Sequence, residues 1–272
     1  MGELIPAGGL TEDEDFARFV ADIHRSLSID LSQYKEGQMR RRLTTLRMKH
    51  GFGTFALYYK ALMGDAKLRE EFLDRMTINV SEFWRNANRW QVLSERFLKP
   101  MLSSSPRLNV WSAACSTGEE PYTLAMILDS FGALERSSIL ATDIDDGVLA
   151  KAKEGLYPVR SVREVPADYL KRYFEAARDH YRVVERLKKA VKFQKQNLLL
   201  DSFGSQYDLI VCRNVMIYFT EEAKSALYHK FSRALKPGGL LFVGSTEQIF
   251  SPGQYGLEPA DTFFYRRVSA GV

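Results

Sequence analysis

The spacing of hydrophobic and polar positions changes partway along the chain. Up to about Met76, apolar residues recur at helical spacing and glycines separate the segments. Four helices are predicted there, near Glu12 to Ser28, Tyr34 to Lys49, Thr54 to Met63 and Ala66 to Met76. Residues 1–76 are therefore expected to form a small all-α domain.

After about residue 106, short apolar runs alternate with amphipathic helical segments. Val110 and Trp111 suit a buried strand, and Tyr207 to Phe219 contains another, which ends at Arg213 and Asn214. This alternation predicts an α/β domain over residues 106–272, with a Rossmann-like sheet covered by helices on both faces. Thr262 to Tyr265 is expected to add an antiparallel edge strand.

Two further segments complete the predicted organisation. Residues 77–105 form a connecting stretch with a helix from Trp90 to Leu102, and Ser103 to Pro106 marks the boundary before the sheet. An insert at about residues 157–189 alternates charged and apolar residues. That alternation predicts a small antiparallel hairpin with Ala176 to Asp179 as its turn.

The candidate chemistry begins with the run NVWSAACSTGEEPYTLAMIL, Asn109 to Leu128, followed by ATDID. Small residues and Gly118 allow a ligand to approach the main chain, and a helix follows. Glu119 at the helix start would repel phosphate but hold a cationic amino group. Asp143 lies about 25 residues after Gly118, where a ribose-binding acid is expected. The pattern favours S-adenosylmethionine. The alternatives are that Glu119 is only a helix-end charge and that Asp143 caps the helix that begins near Asp145.

With these residues in hand, the chain resembles the CheR-type chemotaxis methyltransferases. Those enzymes transfer a methyl group from S-adenosylmethionine to glutamate side chains of chemoreceptors. The resemblance covers nearly the whole chain and rests on ordered matches at TINVSEFWR, SAACSTGEEPY, ATDID, CRNVMIYF and LKPGGLLFVGSTE. One departure from methyltransferases in general is the single glycine of the cofactor turn, which is typical of this family.

The resemblance implies roles for particular residues. Cofactor contacts are implied for Asn79, Ser81, Arg85, Glu119 (methionine amino group), Asp143 (ribose), Asn197 and Leu198 (adenine), and Arg213 with Asn214 (below the sulfonium). Arg85 and Tyr218 would face the substrate carboxylate. The alternatives are an ordinary polar helix start for Asn79 to Arg85 and a core aromatic residue for Tyr218.

The implied reaction needs no strong catalytic base. A glutamate side chain has an ordinary pKa of about 4.3, so it is already ionised near neutral pH. The enzyme then mainly has to aim the carboxylate at the methyl carbon. The four histidines lie outside the cofactor motifs, and we expect them to be surface or packing residues.

Charge is concentrated in the second predicted helix, although the net charge of the 272-residue chain is only +4. Met39, Leu43 and Leu46 should pack inward, which would turn Arg40 and Arg47 outward. With Arg41, these residues are predicted to dock glutamate-rich receptor helices. A solvated charged face is the alternative, and the lack of interleaved aromatic residues argues against nucleic acid.

The remaining composition predicts a cytoplasmic protein. The chain has two cysteines, expected to be reduced, and it has neither an apolar run long enough to cross a membrane nor a signal-peptide pattern at its start. A monomer is expected. Members of the resembled family that bind a receptor tail peptide have a longer, glycine-containing loop at the insert, whereas the predicted turn here is short and lacks glycine. The resemblance therefore implies that such a peptide is not required.

These observations favour a protein-glutamate O-methyltransferase that acts on chemoreceptors and forms S-adenosylhomocysteine. A methyltransferase of nucleic acid or of a small molecule is the first alternative. A signalling module that binds the cofactor without catalysis is the second.

Overall fold

The computed structural model describes residues 10–77, 81–105 and 107–268. The chain divides into two compact units. The first consists of Met1–Ile78 with Tyr218–Thr220, and the second of Asn79–Ile217 with Glu221–Val272.

The first unit contains the four predicted helices, so that prediction is confirmed. They are α1 (Glu12–Leu27), α2 (Glu36–Lys49), α3 (Phe55–Gly64) and α4 (Ala66–Thr77). A capping box starts α1, because the Thr11 side chain accepts from the N–H of Glu14 while Glu14 binds back to the main chain of Thr11. The core between the helices is aromatic, with Phe16, Phe19, Phe55, Tyr58 and Phe72 all buried.

The segment Tyr218–Thr220 forms part of the first unit. The N–H of Lys35 donates to the carbonyl of Tyr218 at 2.9 Å, and the N–H of Thr220 donates to the carbonyl of Gln33 at 2.9 Å. The ring of Phe219 meets the ring of Tyr34 edge-on at 5.0 Å between centroids. Main-chain bonds and ring packing therefore fix this segment.

The second unit begins with helix and continues with alternating strands and helices. Its first helical stretch runs through α5 (Ala87–Val92), a π-helical segment (Leu93–Leu98) and α6 (Lys99–Ser104). The predicted helix from Trp90 to Leu102 is confirmed, although it starts three residues earlier. The later helices in the described residues are α7 (Glu119–Ser130), α8 (Asp146–Glu154), α9 (Ala167–Tyr173), α10 (Glu185–Ala190) and α11 (Glu221–Ala234).

Ten strands occur within the described ranges of the second unit, and they form two sheets. They are β1 (Asn109–Ala113), β2 (Ser138–Asp143), β3 (Leu156–Pro158), β4 (Phe174–Ala177), β5 (His180–Val183), β6 (Val191–Lys195), β7 (Tyr207–Cys212), β8 (Leu235–Val243), β9 (Leu257–Asp261) and β10 (Phe264–Arg267).

The main sheet has the order β6-β2-β1-β7-β8-β10-β9. The first five strands of that order are parallel, and β10 is antiparallel to both β8 and β9. The Rossmann-like α/β prediction is thus confirmed. The predicted edge position of Thr262 to Tyr265 is wrong, because Leu257–Asp261 pairs on the outer side of β10 and becomes the edge.

The insert contains the predicted hairpin and more. Strands β4 and β5 are antiparallel, with Ala177 opposite His180, so Arg178 and Asp179 form the turn. Strand β3 pairs with the other side of β5, which makes a three-stranded sheet instead of a two-stranded one. The expected alternation also fails at both ends of the hairpin, where α9 and α10 are helical.

Asp129 attaches the insert to the main sheet domain. It lies near the end of α7, is buried, and pairs with Arg172 at 3.0 Å and Arg186 at 2.8 Å. The hydroxyl of Tyr173 donates to the same carboxylate at 2.8 Å. A buried carboxylate with this many donors fixes the orientation of the insert.

Two expectations from composition also have structural outcomes. Cys115 and Cys212 form no disulfide, in line with the expected reduced thiols, and both are buried. Among the described residues, none of the helices has both the length and the apolar character that a membrane span requires.

Candidate active site

Five predicted site residues of the second unit lie at or after the carboxyl ends of neighbouring parallel strands. Glu119 follows β1, Asp143 ends β2, Asn197 and Leu198 follow β6, and Arg213 follows β7. Since β6, β2, β1 and β7 are neighbours in the sheet, the fold places all of these positions along one edge. Ligands of open α/β sheets bind at this edge.

The turn after β1 has an unusual backbone. Ala114 and Ser116 have φ angles of 57° and 48°, in the left-handed region, and Gly118 has a φ of 94°. A Cβ atom on Gly118 would lie 2.8 Å from the Cβ of Ala152 and 3.1 Å from the Oη of Tyr157. Glycine is therefore required here for both conformation and space, and the turn stays narrow.

Asp143 is buried beside this turn, with 6% of its surface exposed. Its carboxylate accepts from the N–H of Ser116 at 2.8 Å and from the N–H of Asp145 at 3.1 Å. Burial raises the pKa of Asp143 to about 6. The cap of α8 is Asp145, which accepts from the N–H of Gly147 at 2.8 Å, so Asp143 is not the helix cap.

Glu119 is the first residue of α7 and is 3% exposed. The hydroxyl of Thr117 donates to its carboxylate at 2.7 Å, and the side chain of Ser81 hydrogen-bonds to it as well. Burial raises the pKa of Glu119 despite these donors. The structure thus brings Ser81 and Glu119 together, whereas Asn79 lies outside the described residues.

The donors around these two carboxylates indicate what kind of ligand fits. Glu119 is bound by hydroxyl groups and Asp143 by main-chain N–H groups. A buried carboxylate is stabilised further by a cation or by additional donors. A ligand that brings an ammonium group to Glu119 and hydroxyl groups to Asp143 would supply both.

Asn197 and Leu198 form the turn after β6. The side-chain oxygen of Asn197 accepts from the N–H of Leu199 at 3.0 Å, and its own N–H donates to Asp201 at 2.7 Å. Leu198 is buried, and its carbonyl accepts from the ammonium group of Lys230 at 2.6 Å. The side chain of Asn197 thus shapes the turn, and Leu198 supplies apolar surface.

Arg213 binds the main chain of Arg85. Its guanidinium is buried, packs over the rings of Trp90 and Phe242, and donates to the carbonyl of Arg85 at 2.9 Å. It also donates to the side-chain oxygen of Asn86 at 2.9 Å. Arg213 therefore fixes the backbone from which the half-buried Arg85 side chain extends.

Glu120 belongs to the same cluster but was not among the predicted site residues. It accepts from the hydroxyl of Ser112 at 2.8 Å and lies 3.8 Å from Arg213. Burial raises the pKa of Glu120 to about 7, while the charges of Arg213 and Arg85 act against that rise. The doubled acid at positions 119 and 120 was the available signal in the sequence.

Tyr218 lies in a short 3₁₀ turn, Met216–Tyr218, and is counted with the first unit. The guanidinium of Arg42 lies 5.6 Å from its ring centroid. The side chain is half-buried, so Tyr218 is not a fully enclosed core residue. Its predicted role toward the substrate carboxylate stays a prediction.

The basic helix α2 differs from the expectation at two of its three candidate docking residues. Arg47 is buried, with 8% exposed, and its guanidinium lies 4.6 Å from the ring centroid of Phe55. Arg40 is partly covered, pairs with Asp13 at 2.6 Å and lies over the ring of Phe16. The predicted outward orientation is therefore wrong for Arg47, because its long stem and planar head pack on an aromatic ring.

Arg41 is exposed, as expected, and lines a groove in the first unit. The groove has a volume of about 610 Å³. Four of its seven lining residues are cationic; the full set is Gln38, Arg41, Arg42, Thr45, Leu46, Lys49 and Arg75.

Comparison with known proteins identifies the family. Residues 79–264 match the family described as "CheR methyltransferase, SAM binding domain", and residues 14–77 match "CheR methyltransferase, all-alpha domain". The chain is 42% identical over 254 residues to the chemotaxis protein methyltransferase of Listeria monocytogenes, covering 93% of this chain and 97% of that protein.

More distant relatives carry the same name. Identity is 36% over 256 residues to the chemotaxis protein methyltransferase of Borreliella burgdorferi, covering 88% of this chain and 89% of that protein. It is 34% over 247 residues to that of Salmonella typhimurium, covering 87% and 84% respectively. The chain therefore belongs to the CheR methyltransferase family of S-adenosylmethionine-dependent chemotaxis methyltransferases.

Proposed function

We propose that this protein transfers the methyl group of S-adenosylmethionine to glutamate side chains of chemoreceptors, in chemotaxis adaptation. The products are glutamate methyl esters and S-adenosylhomocysteine. The observation that carries the proposal is the edge of the sheet where buried Glu119 and Asp143 lie beside the strained turn after β1 and Arg85 lies beside Arg213. The names of the relatives supply the chemotaxis setting.

The residues at this edge of the sheet fit the groups of the cofactor. Glu119 would hold the amino group of the methionine part, and Asp143 would accept from the ribose hydroxyls. The turn at Asn197 and Leu198 would border the adenine. When bound, the cofactor supplies a methyl group on a sulfonium, which is an electrophile toward carboxylates.

Arg85 would orient the acceptor glutamate. Because the acceptor is already ionised near neutral pH, the task of the protein is to exclude water and to hold the carboxylate in line with the methyl carbon. Arg213 and Trp90 both donate to the carbonyl of Arg85, at 2.9 and 3.1 Å, so the origin of this side chain is fixed. Tyr218 is the second residue to which we assign a role toward the substrate carboxylate.

The two histidines of the second unit have structural contacts of their own. In the second unit, His180 bonds to Asp179 in the hairpin turn and His229 packs against Tyr255. His180 belongs to β5 and His229 to α11, so neither is in the turns directly after β1, β2 and β7. A neutral hydroxyl or amine acceptor would call for a proton acceptor at that edge. Glu120, whose pKa burial raises to about 7, lies there, so the choice of acceptor depends on the transfer assay below and not on the histidines.

A transfer assay tests the proposal by comparing acceptors. Labelled S-adenosylmethionine is offered with chemoreceptor-containing membranes, with nucleic acid and with small-molecule extracts in separate reactions. We expect protein-bound label in the receptor membranes alone. Label in nucleic acid or in small molecules would contradict the proposed acceptor, and cofactor binding without any transfer would favour a non-catalytic module.

Cofactor affinity is expected to fall as the pH is lowered through about 6. Only the ionised form of Asp143 accepts from both ribose hydroxyls, and burial raises its pKa to about 6. At pH 5 the Kd for S-adenosylhomocysteine should be about tenfold higher than at pH 7.5, as measured by titration calorimetry. Asp143→Asn should bind more weakly at neutral pH but show a flatter profile; an equally steep profile would contradict the assignment.

The same pKa shift has the opposite sign for the stability of the free protein. A carboxyl group whose folded pKa exceeds its unfolded value stabilises the fold in its protonated form. For Asp143 that contribution is present below the unfolded pKa, which is about 4, and is lost as the pH rises through about 6. Binding and folding therefore favour different protonation states of the same side chain.

The groove beside Arg41 is proposed to dock glutamate-rich receptor helices. Reversing the charge with Arg41→Glu should raise the KM for receptor about fivefold and leave kcat at saturating receptor unchanged. The effect should shrink at high ionic strength, because exposed charges are screened. Arg18→Glu on α1, also exposed, is the control; equal effects of the two variants would contradict a specific dock.

A receptor tail peptide is proposed not to be required. The hairpin turn consists of Arg178 and Asp179 and contains no glycine. Calorimetric binding of such a peptide at micromolar concentration would contradict this proposal.

A further inference from the structure

Glu247 is a buried carboxylate that the roles above do not use. It follows β8 in the sequence GSTE and is 5% exposed. Its two oxygens accept four main-chain hydrogen bonds. Oε2 accepts from Asn214 at 2.7 Å and Gly244 at 2.8 Å, and Oε1 accepts from Met216 at 2.7 Å and Ile217 at 3.3 Å.

Three of these four donors belong to the turn that follows β7. That turn contains Asn214, which has a φ of 62°, in the left-handed region that non-glycine residues rarely adopt. N–H groups in such a turn have no strand partner and must bind elsewhere when buried. The carboxylate of Glu247 supplies acceptors for them from the adjacent strand end.

The chemistry of this contact requires a carboxylate. Four N–H groups converge on two oxygens, and an ionised carboxylate offers acceptors alone. A glutamine of the same length would direct its NH₂ group at two N–H donors, leaving them unpaired. Burial raises the pKa of Glu247 above its ordinary value, although the four N–H donors act against that rise.

Gly244 shows how closely the two strand ends approach. A Cβ atom at this position would lie 2.4 Å from Oε2 of Glu247 and 2.8 Å from the nitrogen of Asn214. No side chain fits between the carboxylate and the turn. The glycine, the glutamate and the left-handed asparagine thus form one interdependent contact.

We infer that Glu247 is a positioning residue of the cofactor site, acting through the main chain of Asn214 to Ile217. The inference rests on the proposed function, in which Asn214 lies below the sulfonium. Glu247 itself touches neither cofactor nor acceptor in this account. It holds the turn in the one conformation that presents Asn214 at the sheet edge.

The test uses the full-length chain and Glu247→Gln, with Glu258→Gln as the matched control. Glu258 is exposed on β9, so Glu258→Gln makes the same chemical change away from the site. We expect Glu247→Gln to weaken S-adenosylhomocysteine binding about tenfold or more, and to lower kcat while the KM for receptor stays unchanged. Glu247→Asp should recover part of the affinity, and Glu258→Gln should match wild type.

A folded Glu247→Gln variant that binds S-adenosylhomocysteine and turns over within about twofold of wild type would overturn the inference. If that variant does not fold, hydrogen exchange on the wild type decides. The amides of Asn214 and Met216 should exchange slowly; exchange as fast as that of the exposed hairpin turn at Arg178 would overturn it. Because S-adenosylhomocysteine binding needs no acceptor, this result is independent of whether the acceptor is a glutamate.

Discussion

Arg85→Ala is expected to lower kcat about a hundredfold while changing the affinity for S-adenosylhomocysteine much less. In the proposed mechanism, removing the guanidinium leaves the acceptor carboxylate without its orienting partner, so fewer encounters would have the reacting atoms in line. The main chain at Arg85 should keep its place, since Arg213 and Trp90 bind its carbonyl and not its side chain. Turnover at saturating cofactor and calorimetric binding measure the two effects separately.

The size of the effect depends on the geometry of the guanidinium. Lysine at position 85 retains the charge but loses the planar pair of donors, so Arg85→Lys should recover only part of the rate. Arg163→Ala is a suitable control, because Arg163 is exposed in the insert. Unchanged turnover of Arg85→Ala at saturating cofactor would remove Arg85 from the proposed catalytic role.

Gly118→Ala is expected to destabilise the protein by about 2–4 kcal/mol and to reduce cofactor binding strongly. The added Cβ meets Ala152 at 2.8 Å, and a φ of 94° is unfavourable for any residue with a side chain. Relief of the clash requires movement of the turn or of α8, and the turn carries the main-chain contacts to Asp143. Urea unfolding and calorimetry measure the two consequences.

Gly132→Ala separates the effect of the positive φ from the effect of the steric clash. Gly132 also has a positive φ, 64°, but a Cβ there would meet nothing within 4 Å. This control should lose only about 1 kcal/mol of stability and keep its cofactor affinity. Equal losses of stability in Gly118→Ala and Gly132→Ala, with cofactor binding kept in both, would contradict the claim that cofactor binding depends on the close packing around Gly118.

The helices of the first unit were predictable because local signals agreed with one another. Thr11 and Glu14 form a capping box at the start of α1, and Phe16, Phe19 and Ile23 are all buried by the same helix. The parallel strands were predictable for a similar reason, since their apolar runs alternate with helical segments. Two candidate acids were chosen from that pattern: Glu119 by its place at a helix start, and Asp143 by its distance of about 25 residues from Gly118. Their roles toward the cofactor stay predictions.

The features that escaped prediction depend on contacts distant in sequence. The periodicity of α2 did not show that Arg47 would lie against Phe55, because an arginine stem packs as readily as it extends into water. Strand β9 lacks a strong apolar run, and it becomes the edge only through pairing with β10. The contact at Glu247 is of the same kind, because three of its four N–H donors follow β7, about 30 residues earlier in the chain.

Backbone conformation was a second limit. Alanine and serine give little warning of left-handed angles, yet Ala114 and Ser116 both adopt them in the cofactor turn. The surrounding contacts enforce this shape, including the bond from the N–H of Cys115 to the carbonyl of Thr142 at 2.9 Å. Such strain is found where a site needs it, and a single sequence does not reveal it.

The most direct test of the account is the chemical nature of the bond that is formed. Receptor-containing membranes are labelled with methyl-labelled S-adenosylmethionine and this protein, and the washed protein is treated with mild base. A glutamate methyl ester predicts that the label is released as methanol. Label that stays on the protein in base would show methylation of another group and would contradict the proposed function.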